Sequence, residues 1–179
     1  SVAILGESGV GKSTLLNCIA APDTPDAGEV RLLGQPITRL NETQQALLRR
    51  RHLGFVFQAF HVLPHLSVAQ NVGLPLVLLG AGEKPELVER GLHDVGLGGL
   101  GERLPQQLSG GQLARAAIAR ALIHRPALIL ADEPSGNLDP GTAARVMEAL
   151  AQQVRVHQAA CVMVTHSQAA LAHADRVLR

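Results

Sequence analysis

The sequence predicts an α/β domain with a mainly parallel sheet and an inserted helical segment. Short apolar runs that suit buried strands alternate with stretches of helical apolar spacing. Gly-rich or polar turns separate them. From Ala59 to about Pro105 the pattern changes, and helical signals follow one another with no strand between them. The 179 residues suit one domain, and 46% apolar against 17% charged composition excludes intrinsic disorder.

Val2 to Leu5 reads as an apolar strand leading into a Gly-rich turn. Lys12 to Ala20 follows with Leu15, Leu16 and Ile19 at helical spacing, ended by Pro22 and Pro25. Gly28 to Leu33 suits a short strand of a side sheet. Asn41, with Gln44 three residues on, predicts a capping box for a helix that ends in Arg49-Arg50-Arg51, where cations suit the negative end of the dipole. Leu53 to Phe57 is the next strand, with Gln58 at its end.

In the middle segment Ser67 is placed to cap a helix that Pro75 ends or kinks. Pro85 suits the first turn of another, with Leu87, Val88, Gly91, Leu92 and Val95 on one face. A loose stretch holding Gly98, Gly99 and Gly101 comes next. Ser109 then caps a long Ala-rich helix reaching His124. Ala127 to Ala131 reads as a fully buried strand. Pro140 opens a helix with Val146, Leu150 and Val154 inward, Ala160 to Thr165 is another buried strand, and Ser167 caps a last short helix. We expect a single domain over 1–179, trimmed at both ends. Residues 1–58 and 125–179 form its α/β core, and 59–124 a helical subdomain carrying the Ser109 helix.

Net charge is +1, which gives no electrostatic footprint for nucleic acid, and none is expected as a partner. The longest apolar run, Val72 to Leu79, falls well short of the ~18–20 residues of a membrane helix and holds Pro75. No basic segment precedes Val2 to Leu5, so a signal peptide is not expected. Cys18 and Cys161 sit far apart in apolar segments and read as buried reduced thiols.

Two segments carry chemistry on their residues alone. Gly6-Glu7-Ser8-Gly9-Val10-Gly11-Lys12-Ser13 fits G-x-x-x-x-G-K-[ST] between a strand and a helix, the context of a phosphate-binding P-loop. Glycines let backbone N–H groups turn inward on an anion, and the helix starting near Lys12 adds its positive end. Lys12 is one of only two lysines, the other being Lys84. It would reach the β- and γ-phosphates, and the Ser13 hydroxyl would ligate Mg²⁺. Leu128 to Ala131 ends in Asp132-Glu133, two carboxylates for which an apolar strand has no packing use. Asp132 would hold Mg²⁺, directly or through water, and Glu133 would act as general base on the attacking water.

Leu108-Ser109-Gly110-Gly111-Gln112 supplies a hydroxyl, free N–H groups and a close backbone approach at a helix start, a second anion site. With this motif beside the P-loop, the chain resembles the nucleotide-binding subunit of an ABC transporter over its whole length, LSGGQ being that family's signature. The resemblance implies a P-loop NTPase fold, ATP and Mg²⁺ as cofactors, and ATP contacts from Gly6 through Thr14. It also implies contacts from Ser109, Gly110, Gly111 and Gln112 to the ATP of a second copy. Gln58 is similar to the glutamine that touches Mg²⁺ or the lytic water and senses the membrane partner. Ser135-Gly136-Asn137-Leu138-Asp139 resembles the D-loop, with Asp139 also a good N-cap. His166 resembles the switch histidine on the γ-phosphate.

The same resemblance implies ATP hydrolysis in a head-to-tail dimer on the cytoplasmic face of the inner membrane, driving permease subunits. They would dock near Gln58 and the helical insertion, where Phe60, Val62 and Leu63 form either the docking groove or core. Phe55 to Pro64, Gly54, the Arg49 to Arg51 run and Gly136 to Asp139 are similar to the lipoprotein-release and macrolide-efflux group of bacterial exporters. A soluble ABC-type ATPase acting on DNA or ribosomes, and a non-catalytic regulatory subunit, are the competing readings. The former would carry a coiled coil, zinc-binding cysteine pairs or tandem domains, and the latter would lack Lys12, Glu133 and His166.

The chain departs from the family pattern in three places. The adenine-stacking aromatic falls ahead of Ser1. Leu113 and Ala114 stand where polar side chains are usual, although Arg115 fits. Ala21-Pro22 replaces Gly-Leu. His61 and His65 have a helical metal spacing, but Pro64 lies between them and no third ligand is near, so zinc is not expected. His52, His93, His124, His157 and His173 read as surface polar residues.

Overall fold

The computed structural model describes residues 1–7, 9–20 and 23–179. Ser8, Ala21 and Pro22 therefore lie outside the described residues. Among those described, five parallel strands form the central sheet: β1 (Val2–Leu5), β4 (Leu53–Phe57), β5 (Leu128–Asp132), β6 (Ala160–Thr165) and β7 (Arg176–Leu178). Their order across the sheet is β4-β5-β6-β1-β7. A side ribbon pairs β2 (Arg31–Leu32) with β3 (Gln35–Pro36) antiparallel, within and just beyond the Gly28 to Leu33 segment.

Helices cover both faces, as parallel sheets require. Alternate residues of one strand face opposite layers. Ile129 and Ala131 join one core with Val56, Met163 and the apolar sides of α3 (Val68–Leu78), α4 (Pro85–Asp94), α5 (Gly110–Leu122) and α6 (Pro140–Val156). Leu128 and Leu130 join the other with Leu53, Val164, Leu16 and Ala20 of α1 (Lys12–Ala20), and Leu48 of α2 (Glu42–His52). Val146, Leu150 and Val154 point inward as their spacing predicts.

The inserted segment supplies α3 and α4, and α5 runs from it onto the sheet, packing against α3, β4 and α6. Gly54 makes the seat of α5 on β4 possible. A Cβ there would collide with the carbonyl oxygen of Ala121 and stand 2.6 Å from Cδ1 of Ile129. Asn71, fully buried, ties the loop before α3 by bonding both N–H and C=O of Leu63.

The capping box predicted at Asn41 forms, and the caps predicted at Ser67 and Ser109 form too, each closed into a box by the glutamine three residues on. Pro75 does not end α3, which continues to Leu78. Three local expectations change. The Ser109 helix ends at Leu122, short of His124. Ala127 precedes its strand. Ser167 precedes α7 (Gln168–Leu171), but its hydroxyl makes no cap; its N–H instead donates to Oγ1 of Thr165 at 3.0 Å. Cys18 and Cys161 are free thiols. Cys161 is buried, which pushes its pKa up to about 11, whereas Cys18 is half-buried.

His124 is not a surface residue. Half-buried, it bonds the carbonyl of Leu53 through Nε2 at 3.0 Å, while its buried Nδ1 has no partner among the described residues. Burial holds its pKa below the usual histidine range. Ala114 is fully buried and Leu113 packs on the core. Apolar side chains at these two positions therefore complete the inner face of α5.

Candidate functional site

The sheet register aligns the motif residues. Phe57 pairs with Asp132, Asp132 with Val164, and Leu5 with Thr165. The next residue of each strand therefore lies along one edge: Gln58 after β4, Glu133 after β5, His166 after β6 and Gly6 after β1. This is the carboxyl end of a parallel sheet, where open α/β folds place their ligands.

At that edge β1 turns into α1 through the Gly-rich loop. Gly9 and Gly11 have φ of 83° and 95°, a left-handed backbone that a side chain would strain. Gly6 meets a tighter limit, since a Cβ there would stand 2.9 Å from Cγ1 of Val10. Lys12 folds back across the loop and donates to the carbonyls of Gly6 at 2.7 Å and Glu7 at 2.8 Å. Ser13 and Thr14 are exposed in the first turn of α1, and Glu7 and Val10 are also exposed.

Beyond Asp132 the backbone turns sharply at Glu133, whose φ is 45°. The Glu133 N–H donates to the carbonyl of Val164 at 3.0 Å, and this holds the turn against β6. Its carboxylate is mostly buried and takes two partners. Oε1 lies 2.7 Å from Nδ1 of His166, and Oε2 accepts from Oγ1 of Thr165 at 3.2 Å. A carboxylate only accepts, so Nδ1 of His166 carries the proton and Nε2 is left for a second partner. Gln58 faces the D-loop instead. Its Nε2 donates to Oδ1 of Asn137, and Nδ2 of Asn137 donates to the carbonyl of Gln58, both at 3.2 Å.

A second cluster lies at the starts of α5 and α6. Ser109 and Gln112 close the capping box, with the Ser109 N–H donating to Oε1 of Gln112 at 2.9 Å. A Cβ on Gly110 would stand 3.1 Å from Cδ2 of Leu138, and one on Gly111 2.5 Å from Cγ2 of Thr142. The two glycines let α5 pass close to the D-loop and α6. Asp139 caps α6 by accepting from the Thr142 N–H at 3.0 Å, and its bonds to Thr142 hold its pKa below the usual carboxylate range. A cavity of about 710 Å³ opens between these helix starts, walled by Ser109, Gln112, Arg115, Asp139 and Arg145.

Several partners escape a reading of the sequence alone. Thr165 is a buried polar residue at a strand end, a signal that was available. Arg120 sits within an Ala-rich helix. Its guanidinium grips the carbonyls of Phe60 at 2.6 Å and His61 at 2.7 Å, two non-glycine residues in left-handed conformation with φ of 58° and 44°. Phe60 is itself core, Val62 half-buried and Leu63 exposed. Phe57, His61, Leu74, Leu78 and Arg120 line an apolar groove of about 450 Å³ beside Gln58.

A Gly-rich loop closing onto a helix at the carboxyl edge of a parallel sheet, with an acidic strand tip beside it, defines a P-loop nucleoside triphosphatase. The chain belongs to the ABC transporter family, whose model matches residues 1–136, and it is an ATPase domain of that family. It is 46% identical over 179 residues to the lipoprotein-releasing system ATP-binding protein LolD 1 of Rhodospirillum rubrum, covering 99% of this chain and 79% of that protein. It is 44% identical over 181 residues to the uncharacterized ABC transporter ATP-binding protein YbbA of Escherichia coli K12, covering 100% of this chain and 79% of that one. The dimeric ATP-binding cassette MJ0796 bound to ADP and Pi superposes with a TM-score of 0.87 at 36% identity, over 98% of this chain and 78% of that one.

Proposed function

We propose that this domain hydrolyses ATP between two copies arranged head to tail, and that the cycle drives permease subunits of a bacterial exporter of the lipoprotein-release or macrolide-efflux type. The observation that carries the chemistry is the Glu133–His166 hydrogen bond at the edge that also holds Gly6 and Gln58. Lys12 and the loop amides of Gly6, Glu7, Ser8, Gly9, Val10 and Gly11 hold the polyphosphate, with Ser13 and Thr14 at the helix start. Glu133 takes the proton of the attacking water, and His166, with a proton on each ring nitrogen, would donate from Nε2 to the γ-phosphate while Nδ1 stays on Glu133. Thr165 steadies the second carboxylate oxygen of Glu133.

Ser13, Asp132 and Gln58 offer a hydroxyl, a carboxylate and an amide oxygen, an all-oxygen set that fits Mg²⁺. The ion would neutralise charge on the β- and γ-phosphates. Ser109, Gly110, Gly111 and Gln112 bind the γ-phosphate of the partner's ATP, and Asp139 shapes the facing surface.

The similarity to LolD 1 supports the export reading. Among the described residues no helix is long and apolar enough to cross a membrane. By its similarity to LolD 1, the domain would work as a peripheral subunit on the cytoplasmic face of the inner membrane. The groove beside Gln58 is the surface offered to the permease.

Glu133→Gln keeps the shape of the base and removes its charge. Bound ATP should persist and repulsion of the γ-phosphate should fall. Sedimentation should find this variant dimeric with ATP and monomeric with ADP. Adding Ser109→Arg should abolish the ATP dimer, because a bulky cation would fill the partner's γ-phosphate seat. A variant that stays monomeric with ATP, or dimerises equally with ADP, refutes the two-site mechanism.

A further inference from the structure

We propose that Asn137 is a positioning residue that sets the side-chain amide of Gln58, so that its oxygen rather than its nitrogen is offered to the divalent cation. This rests on the reading of Gln58 as a cation ligand. The orientation comes from hydrogen-bond logic. The backbone carbonyl of Gln58 can only accept, so the group of Asn137 facing it at 3.2 Å is Nδ2. That places Oδ1 of Asn137 toward the Gln58 side chain. An oxygen opposite it would set two acceptors against each other, so the atom at 3.2 Å is Nε2. With Nε2 engaged, Oε1 accepts no hydrogen bond among the described residues. A hard cation binds that oxygen and rejects the nitrogen.

The backbone is built for this seat. Gly136 passes beneath the amide, where a Cβ would stand 3.0 Å from Nε2 and 3.4 Å from both Cδ and Cγ of Gln58. The Gly136 N–H donates to the carbonyl of Glu133 at 3.0 Å, and the Leu138 N–H to that of Ser135 at 3.2 Å. The turn carrying Asn137 therefore starts from Glu133. The cation-facing end of Gln58 is referenced to the residue that activates water, although the two residues follow different strands.

The test measures Mn²⁺ affinity in the complex with a non-hydrolysable ATP analogue, by electron paramagnetic resonance of the free ion. Metal-free nucleotide binding reports that each variant folds. Asn137→Ala should weaken Mn²⁺ binding about 2- to 10-fold, because the amide then spends only a fraction of its time in the competent orientation. In a Gln58→Glu background both terminal atoms are oxygens and orientation no longer matters, so Asn137→Ala should cause no loss of Mn²⁺ affinity. An unchanged Mn²⁺ affinity with Gln58 intact, or an equal loss in both backgrounds, overturns the proposal. Gln58→Ala separates the two readings. If it weakens Mn²⁺ binding while Asn137→Ala does not, only the positioning role falls. If it leaves Mn²⁺ binding unchanged, the ligand role of Gln58 falls and takes the positioning role with it.

Discussion

Oε1 of Glu133 and Nδ1 of His166 lie 2.7 Å apart, joining the ends of neighbouring strands β5 and β6. The bond fixes the ring of His166 and the carboxylate of Glu133 together. His166→Ala should therefore lower ATP turnover by about 10²-fold or more. ATP affinity should stay within about 3-fold, since the loop amides and Lys12 hold the polyphosphate without it. Parallel turnover and nucleotide-binding assays check this, and unchanged turnover would remove His166 from the mechanism.

Arg120 holds two strained carbonyls with one planar fork. Lys offers a single point donor and cannot span both. Arg120→Met should cost about 3 kcal/mol, from two charge-assisted bonds at roughly 1.5 kcal/mol or more each. Arg120→Lys should recover about half. Thermal melts should rank wild type above Lys above Met. Equal melting of the Lys variant and wild type would show that charge alone suffices.

Gly54→Ala is the smallest change with a large expected cost. The added methyl meets a backbone carbonyl of α5, which has no rotamer by which to move aside. Overpacking of this kind costs about 1–3 kcal/mol. At this chain length that lowers Tm by roughly 2–12 °C. A melting temperature equal to wild type would mean that α5 shifts freely on β4.

The carbonyl of Leu53 can only accept, so Nε2 of His124 carries the proton and the buried Nδ1 is bare. Protonating Nδ1 would bury an N–H with no acceptor. The folded pKa lies below the unfolded value of 6.5. The stability of the neutral ring is thus present in full above 6.5 and is lost as pH falls through the window beneath it. His157, likewise lowered by burial, adds to the same slope. Melting temperatures between about pH 5 and 8 should fall toward the acid side, and less steeply in His124→Gln. Identical slopes would exclude His124 as a source.

The motif-bearing turns were legible because their signals are local: a glycine spacing, a pair of acids after an apolar run, a serine ahead of two glycines. The strand and helix alternation was legible for the same reason. What stayed hidden depends on pairing across the chain. Asn137 and Gln58 are 79 positions apart, Arg120 and Phe60 60, and His124 and Leu53 71. No local pattern distinguishes a histidine that finds a buried carbonyl from one that meets water. Of the two outcomes the sequence allowed at Pro75, an end or a kink, the end is excluded: α3 packs on α5 and continues past the proline to Leu78. The polar-to-apolar change at Leu113 and Ala114 became intelligible only once the inner face of α5 was located.

The strand order has a consequence for synthesis. Among the described residues β1 pairs with β6 and β7 alone, which leave the ribosome long after it. β4 and β5 can associate earlier, so the strand that leads into the phosphate loop waits for its β6 and β7 neighbours while another part of the sheet is already taking shape. Closing that gap is a long-range step of the slow kind. Until it happens the chain offers a bare edge to neighbouring nascent chains, and nucleotide cannot yet act as a template. A chaperone that shields β1 until β6 emerges would cover the interval in which that edge is open to misassembly.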